Sequence, residues 1–230
     1  MTYHIIQDEV LLDQFIDWLP ELQPNEVFYA CLFARKKYSP EMVQSSDKTQ
    51  LKRFLAKKVT LKDKIRQLEC PLGSYVLKGQ PVPQESLVLY LNPNPRDVVR
   101  ATYSGIKELV DLLQNKSVGF NPVQEIMSCV QRSKSRTVWF DVDIDENDPA
   151  ILVETIDKIS GSINPDCLKF VKTRGGIHCL IEVNKIEKFF AKTWHKDICS
   201  LPNVDQTSDQ LLPVVGCCQG GFVPYFMNIW

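Results

Sequence analysis

Thr137-Val138-Trp139-Phe140-Asp141-Val142-Asp143-Ile144-Asp145 is the stretch whose reading decides the fold. Its β-branched and aromatic residues favour an extended backbone, and a strand sends alternate side chains to opposite faces. Phe140, Val142 and Ile144 therefore share one face, and Asp141, Asp143 and Asp145 the other. Neighbouring carboxylates on that face lie about 6.5–7 Å apart along the strand. Acidic residues are depleted in strands, so three on one side repel one another unless cations meet them. Two magnesium or manganese ions about 3.5–4 Å apart, clamping an in-line phosphoryl displacement, need a carboxylate pair of this kind, and both are hard cations that take oxygen ligands. Asp141 and Asp143 are thus candidate metal ligands. Asp145 is a third carboxylate or the exit residue of the strand. The plain alternative is a surface strand with an acidic outer face.

The flanking sequence sets this strand in an α/β (α+β) fold. Asp148 offers an N-cap and Pro149 a first helical residue, opening a helix that buries Leu152, Ile156 and Ile159 and ends near Gly161. Leu168–Thr173 reads as a strand, Arg174-Gly175-Gly176 as a turn and Ile177–Val183 as the returning strand. Asn184 can cap a helix carrying Ile186, Phe189, Phe190 and Trp194. Leu211–Cys218 and Phe222–Met227 read as strands around Gln219-Gly220-Gly221. The predicted order, β-α-β-β-α-β plus one strand, is the ferredoxin-like arrangement that RNA-recognition modules also use. It occupies residues 135–230. Residues 1–134 read as an N-terminal α/β unit: a helix over Asp8–Leu19, strands at Val27–Phe33 and Leu87–Leu91, a helix with Ile106, Leu109, Val110 and Leu113, and another opening at Pro122.

Two further signals follow the acidic strand. In Lys172-Thr173-Arg174-Gly175-Gly176-Ile177-His178 the glycines permit a tight turn and close approach of a ligand. Lys172, Arg174 and His178 can meet phosphate oxygens, Arg bidentately. The structural alternative is an ordinary Arg-Gly-Gly hairpin. Val204-Asp205 supplies a third carboxylate that would complete a two-metal site, with Asp209 as its rival. Carboxylates for metal and cations for phosphate together describe a site for a nucleoside triphosphate.

Composition narrows the field. The chain has 230 residues, 44% hydrophobic and 24% charged, with a formal net charge of −1, which excludes a disordered, charge-rich tail. Its eight cysteines include no C-x-x-C pair and read as reduced thiols of an intracellular, cytoplasmic protein. His195, Cys199, Cys217 and Cys218 match no standard zinc spacing, so no zinc is expected. No apolar run approaches the ~18 residues of a membrane span and no secretory signal is visible, so no membrane partner is expected. The neutral total hides a basic stretch, Lys48, Lys52, Arg53, Lys57, Lys58, Lys62, Lys64 and Arg66, opposed by Asp63 alone. It reads as a solvated helix face or as a surface for phosphate backbone.

Asp141-Val142-Asp143, Gly176-Ile177-His178 and Val204-Asp205, in this order and on these elements, resemble the motifs of the archaeo-eukaryotic primase superfamily, which includes primase small subunits and primase-polymerases. The likeness covers roughly residues 96–230. It implies one primase-type catalytic domain in which Asp141, Asp143 and Asp205 hold two Mg²⁺ or Mn²⁺ ions. It also implies that His178, Arg174 and Lys172 bind the phosphates of an incoming nucleoside triphosphate. A single-stranded DNA template would cross Arg35, Lys36, Arg96 and the basic stretch with Lys52, Arg53, Lys57 and Lys58. The likeness further suggests a replication helicase or other replisome protein as partner, and a plasmid, phage or mobile-element origin. The zinc stem of many primase small subunits has no counterpart here. Rival readings are a non-catalytic single-strand-binding module that stacks bases on Trp139, Tyr225 or Phe226, and a metal-dependent nuclease or topoisomerase-primase-type enzyme. The latter wants a parallel sheet and a separate upstream Glu.

Overall fold

The computed structural model describes residues 1–42, 46–115 and 118–228. In chain order its elements are α1 (Glu9–Trp18), β1 (Glu26–Arg35), β2 (Lys48–Ala56), α2 (Lys58–Arg66), β3 (Val76–Leu77), β4 (Gln80–Pro81), β5 (Leu87–Leu91), β6 (Arg96–Asp97), α3 (Val98–Gln114), α4 (Pro122–Arg132), β7 (Trp139–Ile144), α5 (Pro149–Ser162), β8 (Leu168–Lys172), β9 (Ile177–Glu182), α6 (Trp194–Cys199), β10 (Val204–Ser208), β11 (Leu212–Pro213) and β12 (Tyr225–Phe226). The α+β class read from the sequence is the class observed. No helix among the described residues is long and apolar enough to cross a membrane.

Two antiparallel sheets organise the molecule. The first runs β11-β5-β1-β2, with β6 added to β1. Alternation along β1 turns Phe28, Ala30, Leu32 and Ala34 into a core shared with Leu12 and Phe15 of α1 and Leu61 and Ile65 of α2. Tyr29 and Cys31 share the opposite face with Val88 and Tyr90 of β5. The second sheet runs β10-β7-β9-β8-β12. Its β7-α5-β8-β9-α6-β10 path is the β-α-β-β-α-β order expected. Val142, Ile144, Ile177 and Cys179 pack beneath α5 and α6 through Leu152, Ile156, Trp194 and Ile198. The other face carries Trp139, Val171 and Leu180 into the core of the first sheet, where Trp139 lies 4.7 Å from Trp18 between ring centroids.

Several expectations are corrected. The fourth strand of the ferredoxin-like unit is β10, not Leu211–Cys218. Leu212 and Pro213 pair with Leu91 and Tyr90 of β5, so the chain returns to the first sheet and the boundary at 134/135 does not separate two continuous units. Asn184 lies in a 3-10 turn, and α6 begins only at Trp194. The basic stretch is not one helix face: it divides between β2 and α2, whose cations serve the fold. Lys58 donates to the Asp17 and Leu19 carbonyls at the C-terminal end of α1, at 3.0 and 2.8 Å. Lys57 donates to the carbonyls of Pro24 and Glu26, and Lys62 pairs with Asp13 at 2.7 Å. Lys57 and Lys58 are therefore bound to carbonyls of the fold. Lys52 pairs with Leu32 and Arg53 with Cys31, so these two point to opposite faces. Arg53 is bound to α4, donating to Ser128 and to the Gln124 carbonyl.

Asn92-Pro93-Asn94-Pro95-Arg96 joins the two sheets. The buried Asn94 side chain accepts from Val138 N and Trp139 N at 2.8 and 2.9 Å. It donates to the Trp139 carbonyl at 2.8 Å and to Asp209 at 3.1 Å. Asn92 donates to the Gln210 carbonyl at 2.8 Å. Replacing Asn94 by Ala strands two buried amides, each costing about 1–3 kcal/mol. Asn94→Ala should lower stability by roughly 2–5 kcal/mol, read as a fall in the urea midpoint at unchanged slope. A change below about 0.5 kcal/mol would mean that this junction does not hold the sheets together.

Candidate functional site

Between the two sheets lies a cleft of about 850 Å³. One wall comes from the second sheet and presents Asp143, Asp145, His178 and Asp205. The facing wall comes from the first sheet and its turn, with Arg35, Lys37, Tyr38, Lys48 and Tyr90. Ser128, Gln131 and Arg132 of α4 close one side.

The acidic wall follows from strand pairing. Asp143 stands opposite His178 and Asp141 opposite Leu180 in the β7–β9 register, so all these side chains share a face. Nδ1 of His178 lies 2.9 and 3.1 Å from the two Asp141 oxygens, and Nε2 lies 3.5 Å from Asp143 Oδ1. The imidazole thus stands between the carboxylates. Burial alone would depress its pKa; the Asp141 carboxylate, with Asp143 and Asp145, outweighs burial and lifts it to about 9. Burial raises the Asp143 carboxyl; the nearby His178 charge opposes the rise, while Asp141, Asp145 and Asp205 add to it. Asp141 itself is 1% exposed and absent from the cleft lining. Asp141 and Asp143 share a face as expected, but Asp141 is buried against His178 and orients the imidazole from behind, outside the cleft lining.

Asp205 occupies an irregularity in the β10–β7 pairing, where Val204 and Gln206 face Ile144 and Asp143, and it lines the cleft. Its rival Asp209 is bound bidentately by Arg96, at 2.6 and 3.1 Å. That bond holds Arg96, whose side chain is 1% exposed, at the base of the cleft instead of on an outer surface. Arg35 is likewise an interior residue. It donates to Asp47 at 2.7 Å and to the Tyr90 hydroxyl at 2.7 Å, and so lines the cleft instead of an outer track. Lys36 opens the adjoining 3-10 turn, half-buried.

The β8–β9 hairpin divides its three cations. His178 enters the cleft. Lys172 pairs with Ile177, on the opposite face from His178, and donates to Asn147 at 3.1 Å, so the fold does not bring it into the cleft beside His178. Arg174 sits at the rim, its guanidinium 4.3 Å from the Tyr38 ring centroid and donating to the Gly220 carbonyl. A Cβ at Gly220 would strike Tyr38 and Arg174, and one at Gly176 would overlap the Ile144 carbonyl. These contacts explain glycine at both turns. Trp139, packed on Trp18 and 7% exposed, is not available to stack a base. Each pairing in the second sheet is antiparallel, unlike the parallel sheet of the topoisomerase-primase reading.

Arg35 and Lys48, read from the sequence as a template contact and as part of the basic stretch, stand together on this facing wall. Lys37 is the cation of this wall that sequence reasoning missed. Burial lowers the Lys48 pKa, and Arg35 and Lys37 lower it further, against Asp47 and Asp143. Lys48 thus stands among like charges on this wall, offset in part by Asp47 and Asp143. Among the described residues no three His, Cys, Asp or Glu side chains already stand close enough to hold one metal ion. The donor set nevertheless suits hard cations: Asp143, Asp145 and Asp205 are oxygen donors lining one space, and Asp143 is pushed upward in part by its acidic neighbours. Comparison with protein-family models, curated proteins and solved structures returned no match.

The raised His178 pKa predicts a pH signature of the fold. A group held above its ordinary 6.5 contributes stability that is complete below about pH 6.5 and lost as pH rises through about 9. In metal-free buffer the wild-type urea midpoint should fall across that window, by on the order of 3 kcal/mol at most. His178→Asn should be less stable at pH 6 and nearly flat from pH 6.5 to 9. Parallel profiles for the two proteins would show that the imidazole is not charged in the folded state.

Proposed function

We propose that the chain is a primase-type nucleotidyltransferase that adds nucleotides to a 3′-hydroxyl on a single-stranded DNA template. The observation that carries this reading is the opposed charge of the cleft walls: Asp143, Asp145 and Asp205 on one side, Arg35, Lys37 and Lys48 on the other. A metal-bound polyphosphate is complementary to both walls at once. The motif order Asp-x-Asp, Gly-x-His and hydrophobic-Asp supports the same reading, since the residues resembling primase motifs converge on this cleft, with Asp141 behind His178.

Asp143, Asp145 and Asp205 would hold divalent cations, which supply charge neutralisation at the α-phosphate and at the leaving pyrophosphate. Lys48 and Lys37 neutralise the outer phosphates. The His178 imidazolium, fixed through Nδ1 by Asp141, directs its Nε2–H toward the acidic wall and the phosphates beside it. In the transfer, the 3′-oxygen to α-phosphorus bond forms as the bond from α-phosphorus to the bridging oxygen breaks, and pyrophosphate leaves with that oxygen. The hydroxyl proton passes to solvent. The contribution of the chain is positioning and electrostatics.

Primer extension on single-stranded DNA, with Mn²⁺ or Mg²⁺ and either ribo- or deoxynucleoside triphosphates, tests the reading. Asp143→Asn and Asp205→Asn should each lower kcat by about 10²–10³-fold, with the urea midpoint unchanged in Asp205→Asn. Lys48→Ala should mainly raise KM for the nucleotide. If the folded wild type yields no product with any of these metals and nucleotides, or if Asp143→Asn is as active as the wild type, the proposal fails.

A further inference from the structure

Three buried polar atoms at the floor of the cleft have no hydrogen-bond partner among the described residues: Asn92 Oδ1, Arg96 Nε and Gln210 Nε2. All three residues line the cleft, and Asn92 and Arg96 are 2% and 1% exposed. They belong to one neighbourhood. Asn92 Nδ2 donates to the Gln210 carbonyl at 2.8 Å, and that bond orients the amide so that Oδ1 is the unmet acceptor. The other two nitrogens of the Arg96 guanidinium are held by Asp209, the residue before Gln210. Buried polar groups are normally paired, so an unmet cluster in the lining of a cleft points to a ligand that completes it.

We infer that this floor binds the sugar hydroxyls of the nucleotide whose phosphates lie between the charged walls. The inference rests on the nucleotidyl-transfer reading above and adds to it the residues that recognise the sugar. Two of the unmet atoms are N–H donors and one is an acceptor, and a hydroxyl is the small group that both donates and accepts. Asn92 Oδ1 accepts from a sugar hydroxyl, while Gln210 Nε2 and Arg96 Nε donate to hydroxyl oxygens. The charge of the floor agrees, because Asp209 binds Arg96 bidentately and leaves a balanced pair beside two neutral amides. A phosphate brings acceptors alone, so it would leave Asn92 Oδ1 unmet and face Asp209. A metal ion would face Arg96. A base edge carries donors and acceptors too, but their pattern differs from base to base, and a fixed floor cannot serve an enzyme that follows a template. Position agrees as well. Asp209 and Gln210 follow directly on β10, whose Asp205 belongs to the acidic wall. With the α-phosphate at that wall and the outer phosphates toward Lys37 and Lys48, the sugar is the next group of the nucleotide, and the floor beside β10 receives it.

Isothermal titration calorimetry on the full chain, with Mn²⁺ and no template, separates binding from turnover. The probes are ATP, 2′-deoxy-ATP, 3′-deoxy-ATP and 2′,3′-dideoxy-ATP. The dideoxynucleotide should bind about tenfold or more weakly than ATP. Gln210→Ala and Asn92→Ala should each narrow that ratio, by weakening ATP while leaving the dideoxynucleotide unchanged. Gln210→Ala keeps the test decisive where loss of the Asn92 anchor unfolds the chain. Equal binding of all the probes by the wild type overturns the inference and leaves the catalytic reading standing, the floor then holding water alone. Equal weakening of all the probes in the variants also overturns it, since that is what a purely structural role produces. Binding of none of them by the folded wild type overturns both.

Discussion

A charged imidazole between two carboxylates is the interaction on which the cleft depends. The pleat of β7 commits Asp141 and Asp143 to one face because Val142 and Ile144 are required beneath α5 and α6. Their repulsion cannot be relieved by turning the strand, since a one-residue slip would bury the acids and expose the core. It is relieved from β9, where the register sets His178 opposite Asp143 with Asp141 in reach of Nδ1. Leaving the buried Asp141 carboxylate unmatched would be strongly destabilising. The hairpin that delivers His178 is correspondingly constrained, with Gly176 pressed against the Ile144 carbonyl.

The same compensation extends across the cleft. Acidic and basic walls come from different sheets, so their attraction favours the approach of the sheets while each wall repels itself. Arg35 is held within its own sheet by Asp47 and Tyr90, while the bonds of Asn94 and Arg96 to Trp139 and Asp209 join the two sheets. Beside that junction lies the cleft of about 850 Å³. A net charge of −1 over 27 cationic and 28 anionic side chains conceals this local opposition of charge across the cleft.

What was legible in the sequence was local. Alternation in residues 137–145 identified β7 and its acidic face, Asp148-Pro149 marked the start of α5, and the glycines marked the turn before His178. Each signal acts within a few residues. What escaped depends on pairing between distant segments. Whether Asp141 meets solvent or an imidazole is decided by β9, 37 residues away. Lys57, Lys58 and Lys62 look like a basic surface until α1 and the chain after it supply carbonyls and Asp13. Leu211–Cys218 has the composition of a strand, but composition does not name the sheet it joins, and β5 rather than β7 receives it.

Helix α3 shows the limit of periodicity as evidence of burial. Its pattern contains two apolar sides: the seam from Val99 to Leu113, and a second with Ala101, Leu109 and Leu112. Ile106, Val110 and Leu113 alone would suggest the core-facing side, since large residues bury more area. The fold turns the smaller side inward instead, because α4 approaches closely at Gly105, where a larger side chain could not be accommodated. A wide stripe near a 3.6-residue period suits packing within a domain, whereas a narrow seam at 3.5 suits a second helix. In α3 the space that α4 leaves at Gly105, and not the size of the apolar residues, decides which side is turned inward.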